Sequence, residues 1–239
     1  LGATDNEVRR RILERMQEIY QPPGQPDQWV NVEVRSEEPE DFYDGGYAIL
    51  ELAGADPNGL GLFGYDNTPG KDVGNLRLYD HVGGRNAQGE LDGYGYGGVF
   101  IESLLFWSAH PPIEPRPPAA PPADPLFDAV FDGVRANEVV AGEFPTGGSP
   151  ERIAEIEGAV SFLANMIADT AAHEFGHSLG LGQPYGGPTD YHNAIPRDGC
   201  IMDSGRDRPL EERSRYGGNE GSRFCGENFY YLRDILPME

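Results

Sequence analysis

The sequence predicts an α+β chain in which short strands are set between helices. Two observations carry this reading. Residues 29–107 hold short β-branched and aromatic runs, several alternating with polar residues, separated by Gly-, Asp- and Asn-rich turns. On either side lie stretches with apolar residues at helical spacing, one at the start of the chain and a long one after Ser149. A length of 239 residues suits one domain or two lobes around a cleft, and 38% hydrophobic with 24% charged residues is a globular composition. No apolar run reaches the ~18 residues that a membrane-crossing helix needs.

The elements follow in order. TDNEVRRRILERMQEIYQPP reads as a helix, with Val8, Ile12, Met16 and Ile19 on one face, a capping-box pattern at Thr4 and Glu7, and Pro22 and Pro23 as its stop. WVNVEVR, YAILEL, NLRLYD and the more apolar GGVFIESLLFW read as strands. GYDNTPGKDVGN, between two of them, offers carboxylates and amides to a Ca²⁺ ion but does not fit the EF-hand loop, so a solvated turn is the preferred reading. Gly93, Gly95 and Gly98 match G-x-G-x-x-G, but a strand-like run follows where a nucleotide site needs a helix. HPPIEPRPPAAPPADP reads as an extended connector, and LFDAVFDGV as a short helix. The long stretch from Ser149, an N-cap with Pro150 behind it, runs into HEFGHSLGL as a helix with at most one break. GENFYYLRDIL places Phe229, Leu232 and Leu236 on one face of a closing helix.

The net charge is −22, with Lys71 the only lysine. Such a surface repels nucleic acid and anionic lipid, so neither is an expected partner. Solubility is the plain explanation, and attraction of basic substrates is the functional one. Two cysteines, Cys200 and Cys225, leave three options: a disulfide, two free thiols or metal ligands. They lack the close spacing of a zinc hook and lie in a loop-rich region, which favours a disulfide and an oxidising compartment. The chain opens Leu1-Gly2-Ala3, a processed or trimmed start, so a removed signal or pro-segment would leave no trace.

The chemistry lies in HEFGHSLGLGQP. His173 and His177, four apart, fall on one face of a helix, where both imidazoles can share one Zn²⁺. Glu174 projects beside such a metal. Zinc brings the pKa of water to about 7, so Glu174 is placed to act as general base and then to return the proton to the leaving amine. Two histidines that merely pack on a helix are the bland alternative. Gly180 weighs against it, because a glycine there can stop the helix with positive φ and turn the chain back. His81 and His110 lie far off in sequence and take no role.

HEFGHSLGLGQ resembles the metzincin signature H-E-x-x-H-x-x-G-x-x-H in its matrixin-like form, with Gln183 in place of the last histidine. GCIMDSG around Met202 resembles the family's Met-turn, and LDGYGYGGVFIES is similar to its edge strand and preceding loop. The resemblance is specific over residues 167–203 and only architectural elsewhere. It implies a zincin-like fold with a twisted, mostly parallel sheet, an active-site helix and a small irregular C-terminal lobe. Residues 1–180 would form the upper lobe and 181–239 the lower, together one catalytic domain. Gly98–Ser103 would be the strand that pairs with an extended substrate, unless it is an ordinary interior strand. Met202 would pack beneath the metal, and a Cys200–Cys225 disulfide would tie the Met-turn to the closing helix.

Gln183 leaves three readings open. Its amide oxygen ligates zinc; or the loop YGGPTDYHN supplies the ligand through Asp190 or, as the better donor, His192; or the site is empty. The expectation is a secreted, monomeric zinc-dependent endopeptidase that acts on protein or peptide substrates, with His173, His177 and Gln183 (alternatively His192) as ligands of one catalytic Zn²⁺. The alternatives are an inactive metzincin-fold module that binds a protein partner and a zinc hydrolase of non-peptide amides or esters.

Overall fold

The computed structural model describes residues 2–37, 47–66, 79–83, 97–182 and 192–237. It is a mixture of helices and small sheets. The longest helix, α3 (Pro150–Ser178), is the hub. It packs against α1 (Asp5–Tyr20), α2 (Pro125–Ala136) and α4 (Leu210–Ser214), and against strands of the sheet. Among the described residues no helix is long and apolar enough to cross a membrane.

α3 starts as its sequence requires: the Ser149 hydroxyl accepts from the Arg152 amide and Pro150 fills the first helical position. It then runs unbroken into the HEFGH segment. α1 has the predicted span, with Val8, Ile12, Met16 and Ile19 buried. Its capping box does not form. A 3-10 turn, Gly2–Thr4, precedes the helix, and the Glu7 carboxylate is taken by Arg10 and Arg11.

The strands are β1 (Tyr47–Leu50), β2 (Leu52–Ala53), β3 (Gly64–Tyr65), β4 (Tyr79–Val82) and β5 (Gly98–Phe100). β1 pairs with β4 in parallel, while β5 lies between β2, parallel to it, and antiparallel β3. Glu51 joins the two sheets: its amide donates to Val82 O and its carbonyl accepts from Val99 N, each at 2.9 Å. The chain therefore crosses from one ladder to the next at a single residue.

Three expectations need correction here. Residues 29–35 are not a strand. Their alternating pattern is real, but α1 takes the place of a partner strand. The Gln17 amide receives Val34 N and donates to Val32 O, and Gln21 donates to the carbonyls of Val30 and Val32. GGVFIESLLFW is a strand only over Gly98–Phe100; Ile101–Trp107 is a 3-10 helix. Gly98–Ser103 is not an edge, because β5 is flanked on both sides and fully buried. Gly98 (φ +92) lets β5 come so close that a Cβ there would lie 2.3 Å from Glu51 O. The proline-rich connector has no regular structure, and the Arg116 guanidinium gathers the carbonyls of Phe106, Ser108 and Pro121.

Two apolar clusters follow. One fills the space between α1, α2, α3 and β5 around Ile156, Val160, Met166 and Ile167. The other lies beneath the end of α3 and joins Tyr20, Ala172, Leu181, Ile201, Met202 and Phe224 to Tyr231 and Leu232 of α5 (Gly226–Ile235). Cys200 and Cys225 are disulfide-bonded, with Cα atoms 5.5 Å apart, and so staple this second cluster. Closing a loop across their separation of 25 residues stabilises by about 3.5 kcal/mol through the unfolded chain's lost entropy. A Cys200→Ser/Cys225→Ser variant should lose that amount in urea unfolding, and an unchanged midpoint would refute the account.

Candidate metal centre

The site starts from how α3 ends. Gly180 adopts φ +93, its amide donates to His177 O at 2.9 Å, and Leu181 N donates to Gly176 O at 2.9 Å. This pair of bonds is a Schellman turn, and it folds the chain back beneath the helix. The Leu181 carbonyl thereby reaches His177 Nδ1 at 3.1 Å. On the other side, Ile201 O from the Met202 turn lies 2.6 Å from His173 Nδ1. Each imidazole thus has its Nδ1 fixed by a backbone carbonyl, which puts the proton there and leaves Nε2 as a lone-pair donor.

The two Nε2 atoms face each other at 3.0 Å. Two nitrogens bound to one tetrahedral zinc would stand about 3.3 Å apart, given Zn–N bonds of 2.0–2.1 Å. His192 completes the group. Its ring stacks on His173 at 5.3 Å between centroids, lies 5.5 Å from His177, and one donor atom of each histidine falls within 4.8 Å of the others. The donor set therefore fits zinc, with three imidazole nitrogens converging from a helix and a loop. Gln183 and Asp190, the other proposed ligands, lie outside the described residues. So does most of GYDNTPGKDVGN, the calcium suggestion, as do Lys71, Gly93 and Gly95.

Burial pushes the His173 pKa well below 6.5, and the neighbouring His177 and Arg208 push it the same way. The unfolded chain protonates this group near 6.5, and the folded chain only at much lower pH. Between the two values the unfolded state holds the extra proton, so stability falls as pH drops below about 6.5 and is insensitive to this group above it. Urea unfolding of the metal-free chain at pH 7.5 and 5.5 should show this loss, at a slope no steeper than about 1.4 kcal/mol per pH unit. Equal stability at the two values would contradict it.

Glu174 is buried beside this pair and faces β3. A Cβ on Gly64 would lie 2.5 Å from Glu174 Oε1, so only glycine lets the strand pass this close to the carboxylate. Gly176 does the same beneath: a Cβ there would lie 2.7 Å from the sulfur of Met202, which is buried under the helix. Neither glycine carries a motif signal of its own.

Sequence reasoning also missed a buried charge cluster behind the histidines. Asp169, one turn before His173 on α3, pairs with Arg208 and lies 3.7 Å from Arg213. Glu212 binds the Gly199 amide at 2.7 Å and the Ser222 hydroxyl at 2.9 Å. Arg213 stands over the Phe63 ring, and burial with Arg208 nearby brings its pKa down to about 9, still charged at neutral pH. Spacing could have flagged Asp169, which continues the histidine face by four residues; nothing in the sequence marks the arginines as buried.

No protein-family model, no curated protein and no solved structure matches this chain.

Proposed function

We propose that the chain is a secreted zinc-dependent endopeptidase, with His173, His177 and His192 as metal ligands and Glu174 as general base. The facing Nε2 atoms carry this reading. Each Nδ1 is held by a carbonyl, so two neutral imidazoles turn lone pairs toward each other at 3.0 Å, an arrangement that a cation between them relieves. A bound zinc ion would supply Lewis acidity, polarising the scissile carbonyl and making water acidic near neutrality. The rest falls to the chain's own groups. Ile201 O and Leu181 O hold the two helix imidazoles in their tautomers. Glu174 Oε1, buried beside β3, accepts a proton from water and returns it to the leaving amine. β3 closes the sheet among the described residues and passes against Glu174. An extended peptide adding to that strand would bring its scissile bond to the carboxylate. The disulfide suits an oxidising compartment, which favours secretion.

The test is zinc loading of the purified chain, with X-ray absorption to count imidazole ligands and a peptide mixture to detect hydrolysis. One zinc per chain, three imidazoles and hydrolysis are the expected results. His192→Ala should weaken zinc by more than about 100-fold, beyond what losing a supporting partner costs, and Gln183→Ala should leave it unchanged. The reverse pattern would make Gln183 the ligand. Failure to bind zinc would leave a binding module, and zinc without peptide cleavage would point to another amide or ester.

A further inference from the structure

His192 stands on a loop, not on a helix or strand, so something other than regular structure must hold it against the two helix histidines. We propose that Asn193 is the positioning residue that seats His192, and that the turn of Ile201, Met202 and Asp203 is the shared base on which two of the three histidines are set. This inference rests on the metal-site reading above.

Asn193 commits its backbone amide and both side-chain polar atoms to that base and to α5. Its backbone amide donates to Met202 O at 2.9 Å. Its side-chain Nδ2 donates to Asp203 Oδ1 at 2.5 Å, and its Oδ1 accepts from Asn228 Nδ2 at 2.7 Å. The partners are themselves fixed. Asp203 is buried, and its other oxygen accepts from Arg197 N at 2.7 Å. Asn228 is buried in the first turn of α5, which begins at the disulfide half-cystine Cys225.

The geometry has a consequence for the histidines. Ile201 O holds His173 Nδ1, while the next two residues, Met202 and Asp203, hold the residue after His192. A displacement of this turn would move both ligands together, and loss of the Asn193 bonds would release His192 alone. An asparagine suits the position because Asp203 requires a donor and Asn228 requires an acceptor. Aspartate would turn a carboxylate toward Asp203, and leucine would satisfy neither.

The experiment is a zinc-affinity cycle by chelator competition on the full chain: wild type, Asn193→Ala, His192→Ala and the double variant. Cobalt(II) absorption of the wild type and Asn193→Ala reports ligand geometry. Asn193→Ala should weaken zinc by about 10–100-fold, the range for partners that orient a ligand, and should lower the intensity of the cobalt bands. In the His192→Ala background the same substitution should change affinity by less than about twofold, because there is no third histidine left to seat. An equal loss in both backgrounds would mark Asn193 as merely structural and overturn the inference. So would wild-type affinity and spectrum in Asn193→Ala. Asn228→Ala repeats the test from α5 if Asn193→Ala does not fold. No zinc binding by wild type, or no effect of His192→Ala, would instead overturn the metal-site reading.

Discussion

Glu174→Gln should lower kcat for peptide hydrolysis by about 10²–10⁴-fold, the usual worth of a positioned general base, with zinc content at the wild-type value. The substitution keeps the side chain's shape, so contact with Gly64 of β3 and the packing of α3 are preserved. It removes the carboxylate proposed to accept a proton from water and return it to an amine. The expected signature is a loss in kcat that exceeds any change in KM, because the interaction acts in the transition state and not in substrate binding. Activity above a tenth of wild type would assign the proton transfer elsewhere. A fall that comes with loss of zinc would mean that Glu174 supports the metal and is no base.

The parts of the site legible in the sequence are those set by local periodicity. The four-residue spacing of His173 and His177 fixes their common face, Ser149 and Pro150 mark the start of α3, and Gly180 marks its end. All three depend on chain neighbours within one or two helical turns. The strands were harder to read for a physical reason. A strand needs a partner, and the alternation at Val30, Val32 and Val34 does not say whether the partner is a strand or, as here, the Gln17 and Gln21 amides of a helix. The interior place of β5 likewise depends on β3, a two-residue strand with no hydrophobic pattern.

The sequence leaves the choice between Gln183 and His192 as third ligand open for a related reason. Gln183 stood where a resemblance asks for a ligand, whereas His192 stands where hydrogen bonds from distant residues carry it. Those bonds come from Met202, Asp203 and Asn228, none of which is near His192 in sequence. Side-chain identity alone favoured imidazole over amide oxygen as a zinc donor, but donor quality says nothing about reach. Asp203 and Asn193 directly follow residues the sequence had already singled out, and their neighbours' roles were the only available hint.

The buried ion cluster yields the second large effect. Asp169→Ala should destabilise the chain by about 3–5 kcal/mol, because it strands the Arg208 guanidinium, and with it Arg213, in a site where both are almost fully buried. The cost comes from leaving two buried guanidiniums with Glu212, 3.6 Å from Arg208, as the remaining carboxylate in the cluster, and not from the worth of the pair itself. A second substitution, Arg208→Met, should therefore restore part of the loss in the Asp169→Ala background, although Arg208→Met alone is destabilising. Urea unfolding of the four proteins measures the cycle. Additive losses would show that the two residues act independently. The cluster also bears on the site, since Asp169 lies one turn before His173, while Arg208 belongs to the segment that follows the Met202 turn. The pair thus fixes that segment against α3, the helix that carries the proposed ligands His173 and His177. Asp169→Ala should then weaken zinc binding as well as the fold, and unaltered zinc affinity in a destabilised protein would separate the two roles.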